Sequence, residues 1–280
     1  MEILSLKTFK AVVDEGGIKG ASLALHTVQS NISIRIQKFE SELGVKLFQL
    51  NGRKLEQTPA GRLLYEYACK ILQLEYQAIA AINQNKGAYE LRIGTPETFA
   101  AVHLPQALKK LRKTSDEISP KLHTATSAEL ATAVVNNKVD CAFVGGNVTH
   151  QHLHSIPIID EELVIVEPID KQYAPVLFIR EDGCAYRKCA LAWQQNMGRS
   201  HEETMSMSSL DGVLGCIAAG LGYTVIGKNM VENSRYENSL AVQNISVGQT
   251  VLNISLIHRT DNPLIKGIHS LAEVFSAVET

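Results

Sequence analysis

The stretch from Pro59 to Asn85 constrains this chain more than any other. Its apolar residues Leu64, Ala68, Ile71, Leu74, Ala78 and Ile82 recur three or four apart, the spacing that stacks side chains on one face of an α-helix. A helix of this length cannot leave such a stripe in water, so the stripe must lie against something. Its own domain is one candidate. The same helix of a second copy is the more natural one, because long apolar stripes pair with themselves. Asn83–Ala88 is polar and contains Gly87, so it reads as a linker that divides the chain.

Ahead of this helix the pattern is of short helices. Leu4, Phe9, Val12 and Val13 recur at helical spacing until Gly16 and Gly17 stop the run. A second helix spans about Ile18 to Leu25, and His26-Thr27 makes the turn. Thr27 is the expected N-cap of a third helix that carries Gln29, Ile32, Ile36, Phe39 and Leu43 and ends at Gly44. Val45–Phe48, a turn at Gly52-Arg53-Lys54, and Leu55–Thr58 read as a small hairpin. Together these elements predict a winged helix-turn-helix.

Beyond the linker, strand and helix patterns alternate, which predicts an α/β domain. Strands are expected at Leu91–Gly94, Lys121–Thr126, Asp140–Val144, Leu163–Val166, Pro175–Ile179, Tyr223–Ile226 and Leu252–His258, with another ending at Met205. Helices are expected at Ala100–Lys113, Ser127–Asn137, about Arg187–Gln195, Ser209–Ala219 and Pro263–Val278. The nearly continuous apolar run at Asp140–Val144 suggests a parallel sheet covered on both faces.

The net charge of −2 hides an asymmetry: residues 1–62 carry nine Lys/Arg against six Asp/Glu, a net of +3, on an otherwise acidic chain. A basic head suits nucleic acid. No apolar run is long enough to span a bilayer, and the first residues have no secretory pattern, so a cytoplasmic location is expected. The five cysteines are odd in number and form no C-x-x-C pair, which argues against a disulfide framework or a zinc ribbon.

Specific residues then carry a resemblance. Leu6–Phe9, Ala21–Ile36, Phe39–Phe48 and the Thr58-Pro59-Ala60-Gly61 motif resemble, in order and without a gap, the DNA-binding signature of the LysR family of bacterial transcriptional regulators. Leu91–Gly94, Leu104-Pro105, Asp140–Phe143 and Ala218–Gly222 resemble that family's effector domain. Two positions depart from the family pattern: Leu50 stands where Arg is usual, and Gln57 where Leu is usual. The resemblance implies a DNA-binding domain at 1–60, a dimerisation helix at 61–87 and an effector domain at 88–280. The last is expected as two Rossmann-like lobes, like those of periplasmic solute-binding proteins, with lobe I about 88–162 and 264–280 and lobe II about 163–263.

A recognition helix lies in the major groove and offers the side chains of its first turns to base edges. Gln29, Ser30, Asn31, Ser33 and Arg35 occupy those turns, and Gln and Asn can bond bidentately to adenine. Arg53 and Lys54 at the wing tip suit the DNA backbone. The resemblance supports Gln29, Ser33 and Arg53 in particular. It also implies a homodimer or homotetramer on an interrupted palindrome of double-stranded DNA, a small-molecule effector, and RNA polymerase as a further partner.

Effectors are expected at strand ends and helix N-termini, where free amides meet anions. This nominates Thr95, Thr98, Ser127, Val144, Gly145 and Ser208 in four converging loops. Plain N-capping is the competing role for the hydroxyls. Gly145 stands where some relatives carry a basic residue, which argues against assuming a dicarboxylate.

Other signals are weaker. Gly222–Lys228 nearly matches a P-loop, but Asn229 stands where Ser or Thr should hold magnesium, and the intervening residues read as a buried strand. His150, His152 and His154 alternate as metal ligands do, although an exposed loop is the preferred reading. Cys184, in a Gly-Cys-Ala-Tyr-Arg sequence, is either a redox sensor with a pKa lowered by Arg180 or Arg187, or, preferably, a packed thiol. No cofactor, metal or catalytic motif is expected. The alternative to a regulator is a small-molecule binding protein whose N-terminal segment serves assembly alone.

Overall fold

The computed structural model describes residues 1–52, 54–84, 88–232 and 234–276. The chain forms two compact units, Met1–Ile82 and Asn83–Thr280.

The first unit runs α1 (Ile3–Asp14), α2 (Ile18–Ala24), α3 (Gln29–Leu43), β1 (Phe48–Asn51), β2 (Lys54–Gln57) and α4 (Pro59–Gln84). Leu6, Phe9 and Val12 of α1 meet Ile32, Ile36 and Phe39 of α3 in one core, with Leu47 and Ala68. Leu4 is 51% exposed, because the buried stripe of α1 begins at Leu6. Thr27 does not cap α3. The N-cap is Val28, without a side-chain bond, and the Thr27 hydroxyl accepts from Asn31 Nδ2 at 3.2 Å. Gly44 ends α3 in the left-handed region (φ 69°), a backbone conformation that is strained for residues with a Cβ. The first wing strand starts at Phe48 rather than Val45, and pairs antiparallel with β2.

Buried Glu40 accepts the amides of Leu47 and Phe48 and the Lys46 ammonium, at 2.8, 3.2 and 2.7 Å. Burial alone would push its pKa up. Lys46 and the two amides outweigh burial and hold the carboxyl below its usual value. The Thr58–Gly61 motif has a similar local logic. The Thr58 hydroxyl donates to the Lys46 carbonyl and accepts the Gly61 amide, and a Cβ on Gly61 would run into the Leu47 carbonyl. Only glycine lets the start of α4 approach the wing this closely. Gln57 adds a long bond to the Gly61 carbonyl at 3.4 Å, while Leu50 is 75% exposed.

The stripe of α4 divides. Leu64, Ala68 and Ile71 pack on the unit's own core, and Lys7–Glu75 and Tyr65–Asp14 tie the helix to α1. Leu74 and Ile82 are exposed, together with Leu63, Tyr67 and Ile79.

The second unit runs β3 (Tyr89–Thr95), α5 (Glu97–Val102), α6 (Leu104–Thr114), β4 (Ile118–Thr124), α7 (Ser127–Val135), β5 (Cys141–Gly145) and β6 (Leu153–Pro168). It continues with β7 (Val176–Arg180), α8 (Ala185–Asn196), β8 (Glu203–Met207), α9 (Leu210–Ala218), β9 (Thr224–Gly227), α10 (Lys228–Glu232), β10 (Leu240–Asn244), β11 (Val251–Arg259) and α11 (Ile265–Ser276). The helix expected at Ala100–Lys113 breaks at His103, because Pro105 can open a helix but cannot donate within one.

The main sheet is ordered β10-β6-β11-β5-β3-β4, with β9 also paired to β6. It is mixed rather than parallel: β5 is parallel to β3 but antiparallel to β11. The 16-residue β6, of which the sequence pattern showed only Leu163–Val166, joins two lobes. Its first part pairs with β11, and its last part with β9 and β10. The sequence reading put Val251–Arg259 in the second lobe, but pairing with β5 places it in the first. Parallel β7 and β8, with α8 and α9 packed on β7, complete the second lobe.

Effector-domain motif residues have structural tasks. Asp140 accepts the Arg92 amide and grips its guanidinium at 3.1 and 2.7 Å, locking β5 to β3. Gly94 lies against Leu130 and Ala142, where a Cβ would come within 2.6 and 2.9 Å. Phe99 of α5 stacks on Phe143 of β5 at 4.4 Å, and Phe275 of α11 meets Phe143 edge-on at 5.4 Å, which returns the last helix to the first lobe.

Candidate DNA-reading helix and interlobe site

On α3, Ile32, Ile36 and Phe39 point inward, which forces the opposite face into water. Gln29, Ser30 and Asn31 are exposed there, and Ser33 is half-buried. Ser33 donates to the Gln29 carbonyl at 3.0 Å, a bond inside the helix. Arg35 is half-buried and turns toward α1, donating to the Thr8 hydroxyl at 3.0 Å. Lys54 is exposed at the wing, and Arg53 lies outside the described residues. Val28 and Ile34, not among the nominated residues, are 60% and 63% exposed at the same tip. Exposed apolar groups there can meet thymine methyls. Their signal was an apolar residue off the buried stripe.

In the second unit Ser127 and Gly145 come together at one cavity, but most of the nominated groups serve the fold. Thr95, Thr98 and Val144 are buried. The Ser127 hydroxyl accepts the Gly145 amide at 3.1 Å. Thr126 and Glu129 form a reciprocal capping box on α7, which holds the Glu129 carboxyl below its usual value. The Ala128 amide donates across the lobes to the Gly183 carbonyl at 3.3 Å. Ser209, rather than Ser208, caps α9, and Ser208 is exposed.

Two cavities flank α7. One of about 280 Å³ is lined by Ser127, Gly145, Gly183 and Lys188 among others. The other, of about 660 Å³, is lined by Glu97, Thr126, Glu129, Asn136, Lys138 and Glu181 among others. The larger is in the range of small-ligand sites, and the smaller lies just below it.

Four charged residues at the lobe junction were not nominated: Arg180, Glu97, Glu181 and Glu161. Arg180, which ends the apolar run of β7, is 4% exposed and pairs with Glu97 at 3.0 Å and Glu181 at 3.6 Å. Glu161, 2% exposed in β6, bonds His103 Nε2 at 2.7 Å and accepts the Tyr186 hydroxyl. The clue for Arg180 was a charge closing a buried strand. Glu161 gave none, because its strand was not recognised.

Cys184 is a buried thiol whose pKa burial raises, an effect only partly offset by the Arg187 amide and by Arg180. The lowered pKa of the sensor reading is therefore absent. His150 and His152 lie 5.6 Å apart, whereas His154 faces His258 at 5.2 Å. Among the described residues, no group of three His, Cys, Asp or Glu could hold a metal ion. The P-loop-like segment is strand β9, and Lys228 pairs with Glu162 at 3.2 Å. Among the described residues, no helix is long and apolar enough to cross a membrane.

Comparison with known proteins agrees with this architecture. Residues 3–62 match the family described as bacterial regulatory helix-turn-helix protein, lysR family, and residues 84–278 match the LysR substrate binding domain. The chain is 31% identical to the transcriptional regulator GltR of Bacillus subtilis, over 93% of this chain and 91% of the relative. It is 30% identical to the transcriptional regulator SoxR of an Arthrobacter species, over 100% and 99%. A full-length OxyR variant from Pseudomonas aeruginosa shares the fold with TM-score 0.71 at 19% identity, covering 98% of this chain and 94% of that one. CbnR, solved with its target DNA, does so with TM-score 0.65 at 19% identity, covering 98% and 99%. The chain belongs to the LysR family. It is a DNA-binding transcriptional regulator with an effector-binding domain.

Proposed function

We propose that this regulator reads an interrupted palindrome as a homodimer or homotetramer, and that a small molecule held between the two lobes controls it. The observation that carries the reading is the α3 tip: Gln29, Ser30 and Asn31 stand in water on a helix whose other face is buried. Gln29 and Asn31 read bases, Val28 and Ile34 add methyl contacts, and Ser33, Arg53 and Lys54 contact the backbone. Arg35 supports the helix from behind through Thr8. One domain offers few phosphate contacts, so twofold repetition raises affinity and sets half-site spacing. The exposed α4 residues Leu63, Tyr67, Leu74 and Ile82 form the seam between copies.

Ligand binding shifts the balance between lobe geometries, and through the oligomer alters promoter bending and RNA polymerase recruitment in the cytoplasm. Of the nominated residues, Ser127 and Gly145 line the smaller of the two cavities that flank α7. Footprinting on the adjoining promoter tests the reading at several salt concentrations. A palindromic footprint that weakens steeply with salt and changes with an effector supports it. Binding indifferent to sequence and salt would overturn it.

A further inference from the structure

Arg180 belongs to the second lobe and Glu97, at the start of α5, to the first, so their ion pair crosses the junction. The pair is close but poorly satisfied. Arg180 Nε and Nη1 and Glu97 Oε2 are buried without a hydrogen-bond partner among the described residues. A buried guanidinium with idle donors is expensive, and a native fold keeps one where something else completes the bonding. The Glu97 side chain is 42% exposed, so it can turn into water at small cost. Glu97 and Glu181, the two carboxylates nearest Arg180, both line the 660 Å³ cavity.

Given that a small molecule binds between the lobes, we propose that its class is an α-amino-acid-like zwitterion whose carboxylate replaces Glu97 on Arg180. Displacing Glu97 from Nη2 frees an edge of the guanidinium beside the idle Nη1, an arrangement that takes a carboxylate two-handed. Charge balance selects the rest of the ligand. Arg180 already faces two carboxylates, so a plain anion would leave three negative groups around one cation. A zwitterion adds no net charge, and its ammonium gives Glu97 and Glu181 a partner. The direct lobe-to-lobe ion pair becomes one routed through the ligand, so occupancy changes how the lobes are held.

Calorimetric titration of the full-length protein tests this, with each proteinogenic L-amino acid, propionate and propylamine as probes. At least one amino acid binds, while propionate and propylamine do not at the same concentration. Arg180→Lys, which keeps the charge but loses the fork, weakens that binding by about ten- to a hundred-fold. Glu97→Gln weakens it too, because the ammonium loses its partner. Failure of every amino acid, equal binding of propionate, tighter binding by Glu97→Gln, or undiminished binding by Arg180→Lys each overturns the proposal. If Arg180→Lys does not fold, the ranking of the three probe classes on the unaltered protein decides. Footprints separate this claim from the one it rests on. An amino acid that binds through Arg180 but leaves the footprint unchanged removes effector control and keeps the site. A footprint that answers another compound equally in Arg180→Lys keeps effector control and removes the site.

Discussion

At the tip of α3, Gln29, Ser30 and Asn31 are exposed, whereas the groups nominated for ligand binding are mostly buried or bonded within the fold. Thr95 and Thr98 are inside, and Ser127 is committed to the Gly145 amide. A duplex is rigid, and a surface that reads it must present its groups in advance. A ligand small enough to be enclosed can be met by groups that exchange partners, provided one of them is left wanting. Arg180 fits that description.

Several substitutions would break or sharpen this contrast. Phe39→Ala should have the largest effect, because it empties the core that holds α3. A loss of about 3–5 kcal/mol is expected in denaturant unfolding, with DNA binding lost as well. Gln29→Ala or Asn31→Ala should instead cost about 1–3 kcal/mol in discrimination between operator sequences. Thermal unfolding of those two variants should hardly change, and a large drop in midpoint would mean that the tip is structural. Ser127→Ala should behave in the opposite way. It strips the Gly145 amide of its acceptor and should cost about 1–2 kcal/mol of stability with no ligand present. If stability is untouched while ligand affinity falls, Ser127 is free for the ligand and the contrast fails there.

The smallest effect expected is on acid stability. Glu40 has a depressed pKa in the fold, so its contribution is fully present above the unfolded value and is lost as pH falls through the folded one. Unfolding followed below the ordinary glutamate range should show the first unit weakening. Glu40→Gln should be less stable near neutrality and flatter in acid, and equal acid sensitivity of the two proteins would remove Glu40 from the account.

The elements most legible in the sequence were those whose cause is local. Ile32, Ile36 and Phe39 announced the inward face of α3, and Gly44 its end, because helical spacing and a left-handed φ depend on neighbours in the chain. The α4 stripe was visible as a stripe but not as two surfaces. Leu64 and Leu74 look alike in sequence, and only the presence of α1 beneath the first half separates them. β6 was mostly overlooked because its first half alternates exposed and half-buried residues and becomes a strand by pairing with β11. Thr27 was a reasonable cap displaced by one residue, a shift that backbone geometry decides.

Sequence alone therefore determined the family, the order of the two units, and that Gln29, Ser30 and Asn31 stand on the side of α3 opposite its buried stripe. Those depend on periodicity and on a motif read along one chain. Tertiary structure decided that Glu97 meets Arg180, that Glu161 sits between His103 and Tyr186, and that Ser127 serves Gly145. These partners lie 18 to 83 residues apart, and the packing of the elements that carry them brings them together. Whether a polar group is satisfied or idle is a property of that assembly, since the same arginine in an unfolded chain has water for every donor.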